Sequence, residues 1–115
     1  MDERAPTIDA ATFAELQASA GADFVRELVD TFLAEAPVMF AELRAAHAAR
    51  SAERFRRAAH SLKSNGNTFG ALGFGALARA LELGGLPGEG DSAGIDALTA
   101  EFGRVAAALQ EARDG

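Results

Sequence analysis

The chain of 115 residues has no cysteine, tryptophan or tyrosine, only three prolines and two histidines, and no apolar run near twenty residues. Without cysteine there is neither a disulfide framework nor a thiolate metal site, which agrees with a cytoplasmic setting. Without a long apolar run there is no membrane-spanning helix. The start, Met1-Asp2-Glu3-Arg4, lacks the basic and apolar segments of a secretory signal. Positive charge is also scarce: 11 Lys and Arg against 17 Asp and Glu leave a net charge of −6. Nucleic acid is therefore excluded as a partner, since its binding needs a basic surface that displaces counterions. β-Branched residues are few and alanine is abundant, a helical composition.

What is present is an apolar periodicity close to that of a helix. The length fits one domain over residues 1–115, with a loose tail at 1–7. Thr7-Ile8-Asp9 offers polar starters for a short helix to about Ser19, and Gly21 breaks it. From Phe24 to Leu43 the apolar residues recur at three-and-four spacing, predicting a helix over about 22–49 that Pro37 should kink or divide. Ser51 is a good N-cap for a third helix. Gly70 and Gly73 loosen the chain before a fourth helix carrying Phe74, Leu77, Ala78 and Leu81. Residues 84–91 form a glycine-rich loop, and Asp91 or Ser92 can cap a last helix bearing Ile95, Leu98, Phe102, Val105 and Leu109. The expectation is an all-α fold: an up-and-down four-helix bundle with a short extra N-terminal helix.

The third helix carries the chemistry. At about 100° per residue, Phe55, Ala58, Ala59, Leu62, Gly66 and Phe69 gather on one side, while Arg56, His60, Lys63 and Asn67 gather on another. His60 therefore faces outward with Lys63 one turn on. An imidazole titrates near neutrality and is a competent nucleophile; an ammonium beside it suits an anionic group. His47 is a control. It too has a basic residue at three, Arg50, and a small one at four, Ser51, but it sits at a helix end and reads as a boundary histidine interacting with that C-terminus. Gly66, Gly70 and Gly73 allow either close helix packing or access for a partner. Arg54, Arg56, Arg57 and Lys63 make a basic patch whose plain reading is solubility and whose functional reading is attraction to an acidic partner.

With those residues in place, the chain resembles the histidine-containing phosphotransfer (HPt) domain family. The resemblance rests on His60, Leu62, Lys63, Ser64 and Gly70, a histidine followed by an apolar residue at two, lysine at three, a small residue at four and glycine at ten. Many members carry glycine where this chain has Ser64; both are small. Phe32-Leu33-Ala34-Glu35-Ala36-Pro37 also resembles the family's second helix. The resemblance implies that His60 accepts a phosphoryl group on Nε2 from a receiver-domain aspartate and passes it to another. It implies that Lys63 steadies the phosphoryl charge and that Glu82, twenty-two residues after the histidine, holds Nδ1. Glu82 could instead pair with Arg79 or Arg56. Arg56, Arg57, Ser64, Asn67 and Gly70 would form the docking surface. The partners implied are receiver domains of response regulators or of a hybrid histidine kinase, met by a monomer without cofactor; the Mg²⁺ for transfer would belong to the receiver. An autonomous kinase is excluded because no phosphate-binding loop is present. A metal hydrolase is excluded because two histidines without a carboxylate cluster make no ligand set. The phosphoacceptor module of a chemotaxis-type kinase and a non-phosphorylated helical adaptor stay open.

Overall fold

In the computed structural model, which describes residues 7–114, five helices follow one another: α1 (Ala10–Ala20), α2 (Ala22–Ala48), α3 (Ala52–Thr68), α4 (Leu72–Leu83) and α5 (Ala93–Asp114). The tail expected over residues 1–7 falls outside the described residues except for Thr7. Helices α2 to α5 pack each against its neighbours in a ring, α2 on α3, α3 on α4, α4 on α5 and α5 back on α2. Helix α1 lies across α2 and α3. The expected bundle with its short N-terminal helix is what forms.

Local chemistry sets the boundaries. The Asp9 carboxylate accepts from the Thr12 backbone N–H at 3.0 Å and caps α1. The Gly21 N–H closes the same helix on the Gln17 carbonyl. Ser51 caps α3 through the Arg54 N–H, and the Asp91 carboxylate accepts from the Ala93 N–H at 3.2 Å where α5 begins. Pro37 does not divide α2. Its missing donor and ring weaken one turn, but Phe32 and Ala36 before it and Phe40 and Leu43 after it are buried in one core, so packing on both sides overrides the break.

That core is lined by phenylalanine. Phe32 from α2 stacks on Phe69 at 5.6 Å and meets Phe74 of α4 and Phe102 of α5 edge-on. No polar side chain is buried with them among the described residues. Leu77, one of the apolar residues that α4 carries, is exposed. The core side of α4 is supplied by Phe74, Gly75 and Ala78 instead.

The seam between α3 and α4 is the tightest feature of the bundle. Gly66 on α3 sits beneath the Phe74 ring, where a Cβ would lie 2.5 Å from Cδ1. Gly75 on α4 sits against the Asn67 side chain, where a Cβ would lie 2.0 Å from Oδ1. The helices run antiparallel along this seam, with residue 67 opposite residue 75 and, at one end, residue 60 opposite residue 82.

Candidate functional site

His60 stands on α3 with its side chain 53% exposed. The phase of α3 is as the periodicity predicts: Phe55, Ala58, Ala59, Leu62 and Gly66 turn inward, so the histidine turns outward. Across the seam, Glu82 rises from α4 with only 9% of its side chain exposed. Its Oε2 lies 2.6 Å from His60 Nδ1, and its Oε1 lies 2.7 Å from Lys63 Nζ. The lysine contact is an ion pair, and among the described residues no other group satisfies Oε1. Lys63 is correspondingly folded against α4 and 22% exposed, not projected outward as its helical phase suggests. A single carboxylate thus engages both the imidazole and the ammonium. Neither Arg79 nor Arg56 takes its place.

This arrangement fixes the histidine's chemistry. The Lys63 ammonium first, and the His60 ring second, hold the Glu82 carboxyl below its usual pKa, against the opposing effect of desolvation. An ionised carboxylate can only accept, so Nδ1 must be the protonated nitrogen. In the neutral ring the lone pair is then on Nε2, at the edge away from Glu82 and without a protein partner among the described residues. An exposed nitrogen lone pair, backed by a carboxylate that stabilises positive charge on the ring, is a nucleophile.

The arginines of the basic patch are engaged in surface ion pairs. Arg54 makes a two-pronged contact with Glu42 at 2.9 Å and 2.9 Å. Arg56 binds Glu53 at 2.7 Å, and Arg57 lies 3.6 Å from the same carboxylate. Ser64 and Asn67 are exposed beside His60. Gly70 corrects the expectation that it lines a docking surface, because it is buried. Its φ is +87°, its carbonyl accepts from the Asp9 N–H at 2.8 Å, and a Cβ there would lie 2.9 Å from the Asp9 carbonyl oxygen. That glycine is required by the left-handed turn and by the close approach of the chain entering α1. Gly73, by contrast, meets only the end of the Glu101 side chain.

Sequence reasoning passed over three features. Gly75 completes the close seam, and only a knowledge of which faces meet could single it out. Glu53 pairs with two arginines, an arrangement already visible in its three-and-four spacing. His47 donates from Nε2 to the Gly88 carbonyl at 2.9 Å while Arg50 reaches the Pro87 carbonyl at 2.8 Å. His47 therefore pins the α4–α5 loop and is not simply a helix-end histidine.

Comparison with known proteins bears on the same helices. A family model described as the Hpt domain matches residues 27–115. Among solved structures, the chain is similar to the crystal structure of histidine-containing phosphotransfer protein B (HptB) from Pseudomonas aeruginosa PAO1. The identity is 29%, the TM-score is 0.84, and the match covers 96% of this chain and 97% of that one. A search of curated proteins finds no significant match.

Proposed function

The chain belongs to the Hpt domain family, and from that premise we propose that it is a phosphorelay carrier acting between receiver domains. His60 Nε2 attacks the phosphorus of a receiver's aspartyl phosphate. The N–P bond forms as the bond from phosphorus to the aspartyl oxygen breaks, and the aspartate leaves as a carboxylate. The ring keeps its Nδ1 proton throughout and becomes cationic, a charge that the Glu82 carboxylate opposes at 2.6 Å. Lys63, within the same cluster, supplies the cation for the phosphoryl oxygens. Reversal of these steps onto a second receiver's aspartate delivers the group. The Mg²⁺ of the reaction resides on the receiver, and the carrier itself is read as a cytoplasmic monomer without kinase activity.

One observation carries this reading: Nδ1 is committed to a carboxylate while Nε2 is bare on a half-exposed ring. The test is incubation with phosphorylated receiver domains. Acid-labile label appearing on the chain and absent from His60→Gln is the expected result. Label arriving only from a kinase's ATP-binding domain would make this a kinase's phosphoacceptor module. No label from either source would leave a helical adaptor.

A further inference from the structure

A carrier with a net charge of −6 has to approach a receiver that offers an aspartate and holds Mg²⁺, an ion bound through carboxylates, and like charges slow such an encounter. The cations expected to offset this are not free: Arg54 is bound to Glu42, Arg56 and Arg57 to Glu53, and Lys63 to Glu82. Every other lysine or arginine among the described residues also has a carboxylate or carbonyl partner, with one exception. Arg79 is exposed on α4 and has none.

Its position is informative. Arg79 precedes Glu82 by three residues, which is about 4.5 Å along α4 and about 60° round it. The seam pairs residue 60 with 82 and residue 67 with 75, so Arg79 lies beside the middle of that segment of α3, on the solvent side. Within about 60° of it on the side turned away from α3 stand Leu72, Ala76 and Leu83, while Gly75 and Glu82, equally near, turn toward α3. Leu72 is 52% exposed and Leu83 is 64% exposed. The outward face of α4 is therefore apolar around one unpaired guanidinium. An interface of standard size covers about 800 Å² per partner, a disc of roughly 16 Å radius. Leu72, the far end of this face, is about 15 Å along the helix from Glu82. A partner centred on His60 would reach it.

We propose that this α4 face, with Arg79 as its charged contact and Leu83 and Leu72 as its apolar ones, docks the acidic receiver domain. The inference rests on the carrier function proposed above. Arg79 acts on the encounter and not on the bonds that change, so it is a positioning residue. Removing a charge of this kind alters the association rate and its salt dependence.

The experiment uses the receiver domain that loads the wild-type chain fastest, with transfer followed over a range of receiver concentrations. Arg79→Glu is expected to raise the half-saturating concentration roughly tenfold or more and to leave the saturating rate within about twofold. Arg26→Glu, the same charge change at the start of α2, controls for net charge and is expected to stay near wild type. Leu83→Ser is expected to raise half-saturation and to keep the salt dependence that Arg79→Glu loses. An unchanged half-saturation in Arg79→Glu overturns the proposal while the loaded wild type leaves the carrier function standing. A fall in the saturating rate alone overturns it too, by moving Arg79 into the chemistry. A wild-type dimer that Leu83→Ser dissociates would assign the face to a second copy and overturn it. Absence of any loading of wild type defeats the carrier function, and this inference with it.

Discussion

Replacing Gly66 and Gly75 by alanine, one at a time, should give opposite results although both positions lie on the α3–α4 seam. At Gly66 the new Cβ would stand 2.5 Å from Phe74 Cδ1 and 3.0 Å from Cε1, where carbon contacts settle at about 3.5–4.0 Å. The Phe74 ring cannot withdraw. It is fully buried and surrounded by Phe32, Phe40 and Phe102 at 6.4, 6.4 and 6.1 Å between centroids. The overlap, about 1 Å, has to be relieved by separating the helices. Overpacking of this kind costs about 1–3 kcal/mol, and the better helix propensity of alanine offsets about 1 kcal/mol of it. A ring held on all sides places the strain at the upper end, so a net loss of about 1–2 kcal/mol is expected. At Gly75 the overlap is nominally worse, 2.0 Å from Asn67 Oδ1. Yet Asn67 is exposed and its side chain can rotate into solvent. Gly75→Ala should therefore be neutral or up to about 1 kcal/mol stabilising. Urea denaturation of the three proteins measures both. Carboxyl NMR supplies a second readout: widening the seam in Gly66→Ala should return the Glu82 pKa toward its ordinary 4.5, and Gly75→Ala should leave it depressed. A Gly66→Ala protein as stable as wild type, or a Gly75→Ala protein less stable than it, would refute the reasoning.

Because the folded Glu82 carboxyl is held below 4.5, chiefly by Lys63, its contribution to stability is complete above that value and is lost as pH falls through the folded pKa. Wild type should accordingly lose more stability between about pH 5 and pH 3 than Glu82→Gln does, with Lys63→Met close to Glu82→Gln; equal acid slopes in denaturant titrations would show the pairing to be inert. His47→Ala should cost about 1 kcal/mol through the lost bond to Gly88 and should speed amide exchange in residues 84–91 while leaving exchange at α3 unchanged. Uniform exchange across the bundle would mean that His47 does not act through the loop.

The bundle was legible because its determinants are local and repeat. The three-and-four spacing of Phe32, Ala36, Phe40 and Leu43, the caps at Asp9 and Ser51 and the breaks at Gly21 and residues 84–91 each act within a turn or two of the chain. His60 was legible for the same reason, since its helical phase turns it outward, whereas Lys63 shares that phase but folds back onto Glu82. Glu82 could be proposed only through its spacing in related chains, because nothing within α4 announces which of its residues faces α3. The fate of the arginines was partly hidden. Glu53 sits three and four residues from Arg56 and Arg57, so that pairing follows from one helix, whereas Glu42 and Arg54 meet across two. Gly70 illustrates the converse. Its place in the motif suggested an open surface, but a positive φ and contact with Asp9 make it part of the join between α1 and α3. Pro37 shows a local rule overruled by packing on either side.

The Glu82 carboxylate, shared between His60 and Lys63, also sets the charge account of the site. With the ring in the neutral form that attacks, one carboxylate and one ammonium cancel. A phosphoryl group would bring roughly two negative charges, while the ring that bears it gains one positive charge. The loaded site is then negative overall, and a single ammonium answers two claimants, the phosphoryl oxygens and an otherwise unpartnered Oε1. Unloading restores neutrality. A centre that is balanced when empty and overdrawn when full favours passing its cargo on, which is the behaviour that distinguishes a courier from a store.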